Sequence, residues 1–258
     1  MSFWDHLEEL RWRFIKAIIA VLVGGIVSLA FSDQMLVFVM RPAEQLSADV
    51  RMVNLTPLSM IMVRLYMALI VGLVIGLPAI VYQMWMFIRP GLFRHERRMV
   101  PWVLLSTLVL FCLGAFLSYS MMPYLLSVLV DAGYSGIENT WNIREYVGFL
   151  LGFMAAFGVV FELPVFIYIL SVAGIVSPAV LKRYRRYGIV LIFIIAAFLT
   201  PSPDPFSQLA MALPMLLLFE VSILVSSMVW KAKAKRRLAD LEAEERAGAD
   251  ESASTGDA

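Results

Sequence analysis

Long apolar runs recur along the whole 258-residue chain, and they limit the folds open to it more than any other feature. A helix needs about 20 consecutive apolar residues to cross the roughly 30 Å of hydrocarbon in a bilayer. The chain is 61% hydrophobic and 16% charged, whereas soluble domains average about 45–50% and about 25%. A soluble globular enzyme is therefore excluded. We predict an all-α integral membrane protein with six crossings, near residues 14–31, 60–88, 99–123, 147–173, 186–200 and 207–230.

The fifth crossing is the shortest. Its apolar core, Gly188–Leu199, holds twelve residues, which at about 1.5 Å per residue make a helix of about 18 Å. We therefore expect the fifth and sixth crossings to form a short hairpin that thins the bilayer and receives a partner helix. Glu220 or Gln208 would meet a polar residue of that partner. The alternative is a helix of normal length that extends through Tyr184 and Tyr187.

The basic residues predict the topology. The positive-inside rule places clusters of Lys and Arg in the cytoplasm, which puts both termini there and makes exported loops of residues 32–58 and 124–146. The acidic end of the charged cytoplasmic tail, residues 231–258, has the composition of a disordered segment. The cytoplasmic set holds 17 of the 21 basic residues: Arg11, Arg13, Lys16, Arg89, Arg94, Arg97, Arg98, Lys182, Arg183, Arg185, Arg186, Lys231, Lys233, Lys235, Arg236, Arg237 and Arg246.

Prolines and paired glycines indicate how the helices pack. The prolines predict kinked helices and a curved bundle. Two pairs of glycines spaced four apart are typical of helix contacts in membranes. The prolines are Pro78, Pro101, Pro123, Pro164 and Pro214, and the glycine pairs are Gly72 with Gly76 and Gly148 with Gly152.

The residue inventory argues against an enzyme. Both histidines, His6 and His95, lie outside the predicted crossings, so an intramembrane Ser–His protease has no base. His95 begins an HExxH-like run, but Met99 stands where the second histidine of a zinc site is required. A single cysteine, Cys112, supports no Cys-based metal site. With 21 basic and 20 acidic residues, net charge does not suggest a nucleic-acid partner. We expect no catalytic residue, metal or cofactor.

Two glutamates fall inside crossings, where a charge costs on the order of 2.5–3.5 kcal/mol. Glu162 shares its helix face with small residues, which leave room for close packing or a cavity. Either it is a protonated or internally paired structural residue, or it lines a polar concavity. Glu220 has apolar neighbours, which favours a structural role. The small residues beside Glu162 are Gly148, Gly152, Ala155, Gly158 and Val159.

Glu96 is the only acidic residue in the loop between the second and third crossings, and Arg94, Arg97 and Arg98 surround it. It could form a local ion pair. It could instead accept a cationic ligand, since the arginines would keep it ionised.

Five motifs in order along the chain resemble those of the TatC family, the signal-recognition subunit of the twin-arginine protein translocase. They cover essentially everything except the acidic tail. One departure is the run from Thr200 to Asp204, which is longer than the TPPD turn common in relatives. The motifs are HLEELRWR at 6–13, YQMWMFIRPGL at 82–92, HERR at 95–98, FGVVFELP at 157–164 and TPSPDPFSQ at 200–208.

The resemblance implies a glove-shaped, six-helix receptor in the bacterial cytoplasmic membrane. It implies binding of the twin-arginine signal peptides of folded cargo, TatA-like and TatB-like single-span partners, self-association, and transport driven by the proton-motive force. The residues that match the family's cytoplasmic recognition surface are Glu9, Arg11, Arg13, Phe87, Glu96 and Arg98. The other functionally sensitive positions that match are Pro42, Glu162, Asp204 and Gln208.

Two other classes of protein remain open on the residues alone. A proton-coupled small-solute transporter could use Glu162 as its proton carrier, although the chain shows no repeat and few polar groups along its crossings. A structural membrane scaffold would leave the acidic residue among arginines unexplained.

Overall fold

The structure, a computed structural model, describes residues 3–46, 50–88, 100–131, 139–200 and 205–255. Nine helices and two short strands occur among these residues. The helices are α1 (Phe3–Leu29), α2 (Ser32–Glu44), α3 (Ser59–Ile88), α4 (Val100–Asp131), α5 (Ile143–Phe161), α6 (Leu163–Val172), α7 (Pro178–Arg183), α8 (Arg185–Leu199) and α9 (Pro205–Thr255). The strands are β1 (Arg51–Val53) and β2 (Thr140–Asn142).

The predicted all-α membrane fold is confirmed. Within the described residues, five helical stretches are long and apolar enough to cross a bilayer: Leu7–Leu29, Ser59–Met86, Pro101–Asp131, Ile143–Val172 and Pro205–Ala239. They overlap five of the six predicted crossings. Six crossings require α8 to cross as well, so the full count and the side on which the termini lie stay predictions.

Helix α8 has 15 residues, a length of about 22 Å. Tyr184 separates it from α7 and lies outside helical geometry, with φ −94° and ψ 10°. The structure therefore does not contain the longer helix that would run through both Tyr184 and Tyr187. Thinning of the bilayer around α8 stays a prediction.

The two predicted exported loops contain regular structure. Residues 32–44 form α2, and the strands β1 and β2 pair in parallel, with Met52 opposite Trp141. This pairing joins the two loops to each other. Helix α2 also contacts α3, α4 and α5.

The break between α5 and α6 lies at Glu162, directly before Leu163 and Pro164. Proline has no N–H to donate, and its ring clashes with the carbonyl four residues earlier, so it ends a helix that runs into it. Upstream of the break, Phe153, Phe157 and Phe161 are all buried in the main core. Helix α5 therefore contributes a row of aromatic side chains to the main core.

Helix α9 continues through the charged tail to Thr255. This differs from the disorder predicted for the acidic end. The tail is rich in Ala, Glu, Arg and Lys, which are among the best helix formers, so local propensity favours continuing the helix once α9 has been nucleated in the bundle.

The first glycine pair is a helix contact, as predicted. A Cβ atom at Gly72 would lie 2.5 Å from the carbonyl oxygen of Val21, and one at Gly76 would lie 2.9 Å from the Val21 side chain. Helices α1 and α3 therefore touch backbone to backbone. The second pair is not a helix contact among the described residues, and that prediction is wrong: none of their atoms outside the local backbone lies within 4 Å of a Cβ built at Gly152, and only the Tyr66 ring approaches one at Gly148.

We predict opposite outcomes for the same substitution in the two pairs. Gly72→Ala forces α1 away from α3 and should lower the free energy of unfolding by about 1–3 kcal/mol. Gly152→Ala is the matched control, because alanine fits there and favours the helix by about 0.5–1 kcal/mol. Thermal denaturation of the purified proteins in detergent compares the two. Equal effects of both variants would contradict the backbone contact.

Candidate recognition face and intramembrane polar residues

The end of α1 that is predicted to be cytoplasmic carries an ion pair within one helical turn. Arg13 Nε donates to Glu9 Oε1 at 3.0 Å, and Arg13 Nη2 contacts the same oxygen. An acidic residue four positions before a basic one is the favourable orientation on a helix. Arg11 points away from this pair and is exposed. Of the predicted recognition residues, the structure therefore brings together Glu9 and Arg13.

Other predicted recognition residues cannot be placed against this pair. Glu96 and Arg98 lie outside the described residues, and Phe87 belongs to the last turn of α3 with its side chain outside them. Asp204, on the opposite side of the predicted topology, also lies outside.

Glu162 occupies the break between α5 and α6. Its backbone N–H donates to Val159 O at 3.1 Å, and its carbonyl accepts from Phe166 N at 2.9 Å, so its backbone is satisfied. Its side chain is only partly covered, but Oε1 is buried and has no hydrogen-bond partner in the described part of the chain. The backbone on either side of Glu162 therefore fixes where the carboxyl lies, and Oε1 adds no hydrogen bond within the described residues.

Thr107 on α4 is the polar neighbour of Glu162 that sequence reasoning missed. Thr107 is fully buried, and its hydroxyl is close enough to act on the carboxyl. Neither the hydroxyl nor Oε1 has a partner with hydrogen-bond geometry among the described residues. A single Thr within an apolar helix carries no signal that would identify it, because Thr in a helix usually bonds its own backbone.

A cavity of about 700 Å³ lies beside the first half of α5, on the predicted exported side. Gly148 and Gly152 form its floor, Tyr66 and Ile70 of α3 form a wall, and Arg144 lies at the end where α5 begins. The small-residue face of α5 therefore has two different environments. Gly148 and Gly152 line this cavity. Gly158 instead packs closely against Phe111, whose ring would lie 2.6 Å from a Cβ atom built there.

Glu220 is paired, and the partner is Arg185 at the first position of α8. Arg185 Nη2 lies 2.7 Å from Glu220 Oε1, and both side chains are about half exposed. The pair places Glu220 level with the predicted cytoplasmic end of α8. Helix α9 runs ten residues further to Trp230, about 15 Å, so α8 ends well short of its neighbour.

Gln208 ties α9 to α8 at the other end of the hairpin. Its Nε2 donates to the backbone carbonyl of Phe193 at 3.1 Å. The two polar groups expected to meet a partner helix, Glu220 and Gln208, therefore both have partners within the hairpin.

Pro42 is buried within α2, on the predicted exported side. Arg64 of α3 fixes the start of the same helix, since its guanidinium lies 2.8 Å from Asp33 Oδ1 and donates to Ser32 Oγ at 3.2 Å.

Comparison with known proteins decides the family. A family model described as Sec-independent protein translocase protein (TatC) matches residues 5–214. The chain belongs to the TatC family. The Sec-independent protein translocase protein TatC of Halothiobacillus neapolitanus is 38% identical over 252 residues, 97% of this chain and 68% of that protein. The TatC of Aquifex aeolicus is 35% identical over 236 residues, 90% of this chain and 98% of that protein.

The fold is also that of a solved TatC structure. The crystal structure described as the twin arginine translocase receptor TatC has a TM-score of 0.74 and 35% identity, and the match covers 87% of this chain and 99% of that one. The resemblance inferred from the motifs is confirmed, and the chain is a component of a protein translocase. The TatC match does not favour the small-solute transporter.

We predict that the Arg185–Glu220 pair can be reversed but not broken. Arg185→Glu places two carboxylates together and should destabilise the hairpin, because like charges repel and neither is solvated fully beside lipid. Adding Glu220→Arg restores opposite charges and should recover most of the accumulation in the membrane and the thermal stability in detergent. Arg186→Glu, one residue along, is the matched control and should not be rescued by Glu220→Arg. A double variant no better than Arg185→Glu alone would contradict the pair.

Proposed function

We propose that this chain is the receptor subunit of the twin-arginine translocation system. It binds the Arg-Arg signal peptides of folded precursors at its cytoplasmic face and assembles with TatA-like and TatB-like single-span proteins for export driven by the proton-motive force. The similarity to the solved twin arginine translocase receptor, over 87% of the chain, carries the proposal.

The geometry at the start of α1 supports this assignment chemically. Glu9 already holds a guanidinium, that of Arg13. A carboxylate accepts the planar fork of arginine through two parallel N–H donors, a geometry that the point charge of lysine does not reproduce. Glu9, Glu96 and the arginines around them form the recognition surface in this proposal, with Phe87, Arg11 and Arg98 beside them.

The signal-peptide assignment is tested with a peptide that carries Arg-Arg ahead of an apolar run. Purified protein should bind it, and bind the Lys-Lys version markedly less. We expect Glu96→Gln to weaken binding about ten- to a hundredfold, because one charge-assisted partner is worth about 1.5–3 kcal/mol. We expect a smaller loss of peptide affinity for Glu9→Gln, because Glu9 must release Arg13 before it can bind an arginine of the peptide.

Glu8→Gln is the matched control for these variants. Glu8 is the adjacent acid on α1 and is exposed, so its loss should leave peptide affinity unchanged. Wild-type affinity in both Glu96→Gln and Glu9→Gln, or equal binding of the Arg-Arg and Lys-Lys peptides, would overturn the proposed recognition surface.

We propose that Glu162 lines a polar concavity within the bilayer. The buried Oε1 without a partner among the described residues supports this, because such an atom is stable in the membrane only if water or a polar group reaches it or if it is protonated. The fully buried Thr107 hydroxyl beside it is a second polar atom in need of a partner.

Thiol labelling tests the concavity. We expect a cysteine placed at position 162, in a Cys112→Ala background, to react with a water-soluble thiol reagent. Native Cys112 is the control, since it is exposed on the middle of α4 where only lipid is expected. In addition, Glu162→Ala should leave abundance nearly intact while transport falls. Absence of labelling at position 162, together with normal transport by Glu162→Ala, would leave Glu162 a structural residue.

A further inference from the structure

Pro42 leaves one backbone carbonyl of α2 without its helical donor. In an α-helix each N–H donates to the carbonyl four residues earlier, and proline has no N–H. The carbonyl that Pro42 would serve is that of Phe38.

The hydroxyl of Tyr119, from α4, donates to that same carbonyl at 2.9 Å. The ring of Tyr119 also stacks on the ring of Phe38, with centroids 4.3 Å apart and an angle of 9° between the planes. Tyr119 therefore contacts Phe38 in two ways: its hydroxyl bonds the backbone carbonyl that lacks a helical donor, and its ring packs on the Phe38 side chain.

A second tyrosine provides an internal comparison. The hydroxyl of Tyr146, on α5, donates to the next carbonyl, that of Val39, at 2.8 Å. In a regular helix the donor to that carbonyl is the N–H of Ala43, which also faces the Tyr146 hydroxyl here. Pro42 therefore removes the helical donor of the Phe38 carbonyl but not that of the Val39 carbonyl.

We propose that Tyr119 is a positioning residue that replaces the N–H missing at Pro42 and thereby fixes α2 on α4. This goes beyond the proposed function, since it concerns the predicted exported side and not the signal-peptide surface. It gives Pro42 a physical role: the proline frees a carbonyl through which α2 is attached to its neighbour. With Arg64 at the other end of α2, the helix is held at both ends.

The proposal predicts a specific non-additivity. Pro42→Ala restores an N–H to the Phe38 carbonyl and makes the Tyr119 hydroxyl redundant. We expect Tyr119→Phe to speed hydrogen exchange of the α2 amides about two- to tenfold in the parent protein, and less than about twofold when Pro42→Ala is already present. The measurement is hydrogen exchange followed by mass spectrometry on the full-length protein in detergent or nanodiscs.

Two control variants distinguish this mechanism from a general destabilisation of the protein. Tyr146→Phe should have the same effect with and without Pro42→Ala, because the N–H that Pro42→Ala restores serves the Phe38 carbonyl and not that of Val39. Tyr124→Phe, on the same helix α4, should have no effect, since its exposed side chain makes no hydrogen bond to the described residues.

An unchanged exchange rate in Tyr119→Phe, or an equal effect in both backgrounds, would overturn the proposal. If Tyr119→Phe does not accumulate, accumulation itself becomes the readout. Recovery by Pro42→Ala then supports the proposal, and a double variant that accumulates no better contradicts it. Signal-peptide binding should be normal throughout, so these outcomes are independent of the recognition test.

Discussion

Hydrocarbon offers no hydrogen-bond partner to a peptide group, and this constraint bears on the ends and breaks of the helices that the structure describes. A helix that ends in or near the membrane leaves carbonyls without helical donors, and side chains of neighbouring helices can supply them. At the end of α6, Lys233 donates to the Val172 carbonyl, and Trp230 Nε1 donates to Val176 O at 2.9 Å. A cation at the C-terminal end of a helix also interacts favourably with the helix dipole.

These capping side chains attach α6 to α9. Besides the two caps, the hydroxyls of Ser171 and Ser226 are hydrogen-bonded at 2.9 Å inside the contact between the two helices. Three polar ties along one apolar interface fix the register of α9 on α6. The segment that follows the break at Glu162 is thus attached to α9, so the curved bundle contains a tightly packed helix pair next to the kink.

In the predicted six-crossing topology, the hairpin of α8 and α9 joins two helices of different length in one membrane. Helix α8 spans about 22 Å and begins with Arg185, whereas α9 at that level is still far from Trp230. A charge at the start of α8 would face apolar surroundings if the bilayer kept its full thickness there. The Glu220 carboxylate meets that charge, so the ion pair and the short helix belong to one arrangement.

Sequence patterns predicted the helical membrane class, the short helix α8 and the contact at Gly72, because each depends on residues close together in the chain. They could not predict pairs that the fold alone brings together. Arg185 meets Glu220 across a hairpin, and Arg64 meets Asp33 across a loop. Residues 32–44, expected in a loop, form α2 because the folded bundle supplies Tyr119, Tyr146 and Arg64 to hold it.

The two glycine pairs show the same limit most directly. Gly72–Gly76 and Gly148–Gly152 are the same local pattern on helices of similar apolarity. One is filled by the backbone of α1, and the other lines a cavity. The spacing indicates only that another helix could approach closely, and the position of that neighbouring helix in the fold decides whether it does.

The magnitudes at Glu9 constrain how signal peptides could be recognised. An ion pair four residues apart on a helix contributes about 0.2–0.5 kcal/mol, so Arg13 is easily displaced from Glu9. Yet an incoming arginine that takes its place only exchanges one guanidinium for another, and the net gain from Glu9 is close to zero. Net affinity in the proposed mechanism must therefore come from groups other than Glu9, with Glu96 as the candidate carboxylate, and from burial of the apolar part of the signal at about 25 cal/mol per Å². Glu9 and Arg13 then contribute selectivity for the shape of the guanidinium more than they contribute affinity.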